Sequence, residues 1–498
     1  MDAAEFDFVV IGAGSAGACL AARLGEDRTS NICVIEAGGG DSHLSIHVPA
    51  FVAAAISREK TNWRFSTVLQ PGMAGRTIPV PRGKVLGGSG SINGMVYFRG
   101  HPRDFDDWAD MGCTGWSYAE VLPYFTRTER NEIYPQSVFH GTDGPIGVGQ
   151  VDEPNYHDHV ASPIHMETDD ITSYGISWRA MPRNIAQAVR YLLARTGPLG
   201  GNVFESVAFL RTDPSLAKPD VQFVFQPAKR LTVKGVPFPV GHGFAISPVA
   251  LYPESRGTIR LASADPEAAP LIDPKLLAVE SDIAPLVRAL KIARAAFGSA
   301  AFDRYKAREV APGLDVATDN ELADYIRETA YTVHHPVGSC RMGDPRDPMT
   351  VVDPQLRLTG VAGLRVADAS VMPNVIGGNT NAPTVMIGER CADFVLGKPA
   401  LPAAQLPPES VARRPLRAEE KPMDRLITVS ATGYAYAEPD RATISAGVAA
   451  EADTAAAALS ANTELMQKVV DGLKESGIDV QSDAWNALIA PAGRSAAA

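Results

Sequence analysis

Positive charge is in short supply. Across 498 residues, 46 Lys and Arg face 57 Asp and Glu, a formal net charge of −11. The chain therefore has no electrostatic basis for a general grip on a phosphate backbone, and nucleic acid drops out as an expected partner. Cysteine is scarcer still: Cys19, Cys33, Cys113, Cys340 and Cys391 are an odd number without a C-x-x-C pair. That excludes a zinc ribbon and a disulfide scaffold, and it fits a reducing compartment. Long apolar runs are missing as well. Phe8 to Ala22 comes nearest to a signal segment, but Asp2, Glu5 and Asp7 precede it where a signal peptide carries positive charge. No other stretch approaches a membrane span. Together these absences lead to the expectation of a cytoplasmic protein with no membrane span.

What is present is ordinary globular material, 45% hydrophobic and 21% charged, with length for about three domains. Phe6 to Ile11 is an apolar strand, followed by glycines, an Ala/Leu-rich helix to about Leu24, and a second strand from Asn31 to Ile35. This βαβ opening predicts an α/β fold with a doubly wound, Rossmann-like parallel sheet. Further on, Pro219 to Phe225, Gly243 to Ala250 and Thr258 to Leu261 read as antiparallel strands, with a helix from about Asp282 to Phe297. They predict a second, α+β domain.

The composition shifts at Gly397. Six prolines and a mixed-charge run up to Pro422 read as a tether. Beyond it, Leu426 to Ser430 and Arg441 to Val448 read as strands, and Leu459, Met466, Val470 and Leu473 share one face of a helix from Asp453 to Gly477. The expected divisions are 1–155 (cofactor domain, first part), 156–310 (substrate domain), 311–396 (C-terminal part with the catalytic residues), 397–422 (linker) and 423–498 (a small α+β appendage).

Gly12-Ala13-Gly14-Ser15-Ala16-Gly17 lies between the first strand and the first helix. The first glycine permits the tight turn, the second lets a pyrophosphate approach, and the third lets helix and strand pack closely; the helix N-terminus supplies the anion site. The second strand ends in Glu36, spaced to take ribose hydroxyls. A dinucleotide site follows, although this spacing alone does not choose between NAD and FAD.

The choice comes from Pro81-Arg82-Gly83-Lys84-Val85-Leu86-Gly87-Gly88-Ser89-Gly90-Ser91-Ile92-Asn93-Gly94, a glycine-rich loop too long for a plain turn. With Met95 to Asp107, Ser173 to Ala262 and His335 to Asp393, it resembles the glucose-methanol-choline (GMC) family of FAD-dependent alcohol oxidoreductases. The resemblance implies that Gly12, Ala13, Gly14, Ser15, Ala16 and Glu36 hold the ADP half of FAD. It implies that Val85, Gly88, Asn93, Gly94 and Val96 lie along pyrophosphate and flavin, and that Asp368 and Ala369 approach the ribityl region. Family members that attach FAD covalently use a histidine just before the loop asparagine. That position is Ile92 here, so noncovalent FAD is expected.

Alcohol oxidation needs a base that removes the hydroxyl proton while hydride leaves carbon, and histidine titrates in the useful range. His334 and His335 are the candidates. Pro336 pins its predecessor to extended geometry, and His335 also matches the family's catalytic histidine. The partner that orients the hydroxyl is a histidine or an asparagine in this family. Counting back from Asp393 favours Asn379 for that role and leaves Asn381 to touch flavin. The expected substrate is a small primary or secondary alcohol, with oxygen or another external electron acceptor. A flavin-bearing lyase that cleaves cyanohydrins would share almost every one of these motifs.

Other constellations carry less. His43 and His47, and His157-Asp158-His159, lack further ligands at a recognisable spacing, so no metal is expected. Ser89 and Ser91 are not in a G-x-S-x-G elbow, so no hydrolase nucleophile is expected. The resemblance breaks between Asn155 and Tyr156, where a second family signature and its flanking strands are missing. That break predicts an exposed sheet edge and, as the alternative to a working enzyme, a non-catalytic or weakly FAD-binding remnant. The tail from Arg425 resembles the start of a SIMPL-type domain.

Overall fold

The computed structural model describes residues 5–406, apart from 27, 96, 132–136, 149–159, 202–205, 229–231, 234–235, 238–240, 266 and 306, together with 429–436 and 441–448. The chain divides into two units, Met1–Leu406 and Pro407–Ala498. Val96, the junction at 155–156, His157 to His159 and the helix expected over 453–477 lie outside the described residues.

Strand β1 (Phe8–Ile11), helix α1 (Ser15–Leu24) and strand β2 (Ile32–Ile35) form the expected βαβ unit, with Phe8 opposite Ile32 and Ile11 opposite Ile35 in parallel register. Among the described residues this parallel sheet has only two strands. One face packs through Val10, which is buried, although Val34 opposite it is exposed. On the other, Val9 is 53%, Ile11 80% and Ile35 52% exposed. Parallel sheets are normally covered on both faces; among the described residues this one is bare on that side.

Helices α2 (Pro102–Asp110) and α3 (Tyr118–Thr128) each start in a capping box, His101 with Asp104 and Ser117 with Glu120. Each box satisfies N–H groups that a helix start would otherwise leave unpaired. Together with the C-terminal helix of this unit they enclose an aromatic core of Phe105, Trp108, Trp116, Tyr124 and Phe125.

The second half of the unit is built on a larger sheet. Its strands are β3 (Val160–Ala161), β4 (Ile164–Thr168), β5 (Ser206–Leu210), β6 (Val221–Gln226) and β7 (His242–Ala250). Between β4 and β5 runs helix α4 (Met181–Ala194). A side hairpin, β8 (Thr258–Arg260) with β9 (Leu271–Asp273), precedes helix α5 (Ala284–Phe297). Strand β10 (Arg308–Ala311), helix α6 (Asp319–Thr329) and strand β11 (Tyr331–Thr332) follow. The order is β10-β4-β7-β6-β5, with β3 pairing both β7 and β11, and these pairings are antiparallel. The sheet thus runs past residue 310, where the substrate domain was expected to end. All nine residues of β7 are buried. Leu286, Leu290 and Phe297 of α5 and Leu322 and Ile326 of α6 pack under Ile164, Phe223 and Phe244.

Helix α7 (Asn381–Val395) crosses α1 so closely that a Cβ on Gly388 would stand 2.5 Å from the Ala16 carbonyl oxygen. Buried Glu389 pairs with Arg23 of α1 at 2.8 Å and Arg127 of α3 at 2.6 Å, tying three helices together. The described part of the stretch expected as a tether, from Gly397 to Leu406, is packed. Leu401, Ala404 and Leu406 pack on the aromatic core, and the Ala404 N–H donates to the Ala119 carbonyl at 2.7 Å. Apolar residues between the prolines anchor this stretch. In the second unit, β12 (Val429–Tyr436) and β13 (Arg441–Val448) form an antiparallel pair, so the first of them extends six residues beyond the expected Ser430.

Candidate functional site

Gly12 turns the chain at φ +91°, a conformation costly for any residue with a side chain. A Cβ on Gly17 would sit 2.0 Å from the Gly12 oxygen, so α1 could not pack on its turn with any larger residue there. Helix α1 has no side-chain cap at Gly14, which leaves its first N–H groups available to an anion. Glu36 folds back under the turn and accepts from the N–H groups of Ala13 (2.9 Å) and Gly38 (2.8 Å).

Three separate segments converge on this turn. The Gly87 N–H donates to the Ala13 carbonyl at 2.8 Å, and a Cβ on Gly88 would stand 2.8 Å from the Gly14 Cα. Ser15 Oγ donates to Asn381 Oδ1 at 2.6 Å. Gly12, Ala13, Gly14, Ser15, Ala16, Gly88 and Asn381 therefore lie in one cluster. Asn379, two residues before α7, is 3% exposed. Val85 is a core residue beside Ala55 and Ile92. Asn93 accepts from the Met95 N–H and, with Gly90 and Ser91, lines a cavity of about 210 Å³ closed by Asp41, Ser45 and His47.

His335 follows β11 and is part-buried. Its segment is joined to the glycine-rich stretch by Arg82, whose guanidinium donates to the His334 carbonyl at 3.1 Å. It is joined to the Asp368–Val371 turn by the Cys340 N–H on Ser370 O and the Met342 N–H on Val371 O, both 2.9 Å. Burial, and secondly Arg82, push the His334 ring down to about 3, while burial pushes Arg82 down to about 10. His334 is thus neutral at ordinary pH and a poor proton acceptor. Asp368 is exposed and spends its carboxylate on its own turn, accepting from the Ser370 N–H at 2.8 Å and from the Ser370 hydroxyl. Ala369 starts that turn. Gly94 is part-buried just past the loop.

Comparison with known proteins follows the same geometry. Residues 6–191 and 253–388 match the N- and C-terminal family models described as GMC oxidoreductase. An oxygen-dependent choline dehydrogenase of Brucella ovis is 32% identical over 532 aligned positions, spanning 80% of this chain and 96% of the relative. The chain belongs to the GMC oxidoreductase family. Rhizobium etli has a choline dehydrogenase 31% identical over 534 positions, again spanning 80% and 96%. Among solved structures, pyridoxine 4-oxidase from Mesorbium loti has a TM-score of 0.67 at 23% identity, covering 78% of this chain and 98% of the other. Aspergillus oryzae formate oxidase has 0.71 at 20%, covering 80% and 99%. At that identity the structures speak for the fold, an FAD-binding Rossmann-type part joined to a substrate domain.

Eighty per cent of 498 residues is about 398, spread over 532 aligned positions, so about 134 positions of the Brucella relative face a gap here. Residues 427–488 match the SIMPL model, described as a protein of unknown function.

FAD is the cofactor of this GMC chain. The residues present fit its ADP half: a Cβ on Gly12 would meet nothing within 4 Å, one on Gly14 only the Gly88 Cα at 4.0 Å, and α1 is uncapped. The cavity beside Asn93 is smaller than the 300–1,000 Å³ usual for small-molecule sites. Sequence reasoning missed Arg82 and the buried acids Asp104 and Glu389, whose partners lie far away in the chain. The only local signal was Asp104 at the third position after a helix cap.

Proposed function

We propose that this GMC oxidoreductase acts on CH–OH groups, taking hydride from a primary or secondary alcohol with His335 as base. FAD, when bound, supplies the hydride acceptor. His335 takes the substrate hydroxyl proton, and Asn379 holds the substrate oxygen so that the C–H bond is presented in one orientation. Gly12, Gly14, Ser15 and Glu36 would hold the adenosine and pyrophosphate, with Gly88, Asn93 and Gly94 along the loop beside them. Oxygen or another acceptor would take up the electrons. The observation that carries this reading is the 2.6 Å bond from Ser15 to Asn381, which sets the asparagine segment against the pyrophosphate turn. The depressed His334 ring favours its neighbour as base. All five cysteines are free, in keeping with a cytoplasmic setting.

The bare face of the β1–β2 sheet favours a second statement, that FAD is held weakly and reversibly. The test is the visible spectrum of the purified protein, before and after gel filtration with added FAD, followed by anaerobic addition of an alcohol panel that includes choline. Bleaching by an alcohol supports the oxidoreductase and excludes a lyase without net redox. A stoichiometric flavin band that survives gel filtration without added FAD would refute weak binding.

A further inference from the structure

Asp104 is a carboxylate 3% exposed in which both oxygens are fully committed. One accepts from Lys218 Nζ at 2.8 Å and Tyr252 Oη at 3.0 Å. The other accepts from the His101 N–H at 2.9 Å and the Gly377 N–H at 2.7 Å. Lys218 comes from the loop between β5 and β6, and Tyr252 stands two residues beyond β7. Gly377 is two residues before Asn379. One side chain on α2 thus joins the substrate sheet to the asparagine loop.

The loop has no slack at this point. A Cβ on Gly377 would lie 2.0 Å from Tyr252 Oη, and one on Gly378 would lie 2.8 Å from the Gly100 nitrogen. Gly100, at φ +89°, would press a Cβ to 3.0 Å from Ile376. The backbone of 376–378 is therefore laid flat between Gly100–Asp104 and Tyr252. A buried carboxylate also needs charge compensation. Lys218 provides it, and its ammonium stands 3.9 Å over the Tyr252 ring.

We infer that Asp104 is a positioning residue for Asn379, and that Lys218 and Tyr252 carry the placement of the substrate sheet to the asparagine loop through it. The inference rests on the reading that Asn379 holds the substrate oxygen. Asp104→Asn isolates the effect because it keeps size and shape while replacing one acceptor oxygen by an NH₂ donor. With the amide oxygen toward Lys218, the NH₂ faces the N–H groups of His101 and Gly377. Flipped, it faces the ammonium. Either way one pair of donors loses its acceptor, and small misplacement of an orienting group costs on the order of 100-fold in rate.

The test uses the full chain as wild type, Asp104→Asn, Tyr252→Phe, Asn379→Ala and the Asp104→Asn/Asn379→Ala double variant. Amide exchange is followed in a peptide over 373–380 and in one over 221–226. The expected result is faster exchange in the first peptide of Asp104→Asn with the second unchanged. Equal loosening of both, or no change in the first, overturns the inference. In FAD-saturated protein, anaerobic flavin reduction by the best alcohol should fall about 10- to 100-fold in kcat for Asp104→Asn, with KM nearly constant and a smaller fall for Tyr252→Phe. The double variant should be no slower than Asn379→Ala alone, because the first change acts through the second residue. Additive losses overturn the inference. If Asn379→Ala were fully active, the proposed role of Asn379 would fail, and the exchange measurement would still decide whether Asp104 holds the loop.

Discussion

Two sheets of the first unit follow opposite regimes. In the antiparallel sheet the central strand β7 is buried along its whole length, flanked by β4 and β6 and backed by α5 and α6. In the β1–β2 parallel sheet, two strands of four residues each, Val10 is buried, while its partner Val34 and, on the other face, Val9, Ile11 and Ile35 are exposed. The first can lose a contact and still close over its core. The second has few contacts to lose. It is held in place mainly from behind, by α1 and by the pairing of Arg23 and Arg127 with Glu389. Cofactor binding and the proposed chemistry are accordingly expected to fail separately: His335 follows β11 of the well-packed sheet, while the pyrophosphate turn follows β1 of the thin one, with Asn381 bonded to it.

The largest expected effect sharpens that division. With FAD at saturation, His335→Ala should slow alcohol-dependent flavin reduction about 10²- to 10⁴-fold, the range for loss of a general base, while flavin affinity stays near wild type. His334→Ala should be milder. Stopped-flow reduction and a flavin titration separate rate from occupancy. A lethal His334 change beside a benign His335 change would reverse the assignment.

Next in size is the packing itself. Ile164 in β4 is fully buried in the core beneath the antiparallel sheet, and Ile164→Ala should cost about 2–5 kcal/mol in a urea unfolding curve, the transfer term plus the cavity left behind. A cost under about 1 kcal/mol would mean that this half is as loosely packed as the other, and the contrast would collapse.

The third effect depends on pH. The His334 ring is held down to about 3 by burial and Arg82, against an ordinary value of 6.5. Between these limits the unfolded chain binds the proton and the folded chain does not, so stability is fully present above pH 6.5 and is lost as pH falls toward 3. The slope is at most about 1.4 kcal/mol per pH unit, less for a ring that keeps some solvent contact. His334→Asn should flatten this acid limb while tolerating the backbone at φ +76°, since asparagine accepts that region better than most residues. Unfolding midpoints from pH 7 to pH 4 would check it, and an unchanged slope would remove His334 from the account.

How much of this was legible in the sequence follows from the range of the interactions. The Gly12 turn could be read because its constraint is local, a positive φ and a close helix. Helix α5 and strands β6 and β7 were legible because their apolar residues repeat at the period of the element. The Asp104 cluster was not, since Lys218, Tyr252 and Gly377 lie 114, 148 and 273 residues away and nothing in a local pattern announces such a meeting. Asp368 was expected to reach toward the cofactor. Its carboxylate bonds Ser370, a side-chain turn that aspartate followed two residues on by serine forms readily. The prolines after Gly397 read as a tether because proline composition is visible, while the few anchors among them, Leu401, Ala404 and Leu406, count only once there is a surface to receive them.

The smallest effect bears on the thin half most directly. Ile11 closes β1 with its side chain 80% exposed, directly opposite Ile35 in the parallel register. Threonine keeps the β-branched shape and strand preference while removing apolar surface. If that face meets water, Ile11→Thr should change stability by no more than about 0.5 kcal/mol, as surface changes do, with the denaturant slope unchanged. The same substitution should leave FAD affinity alone, because the turn beyond it is shaped by Gly12, by the Gly87 N–H on the Ala13 carbonyl and by the Ala13 N–H on the Glu36 carboxylate. A loss of 2 kcal/mol or more would show that the face is covered in the folded protein, and the parallel sheet would then have to be counted with the well-packed half.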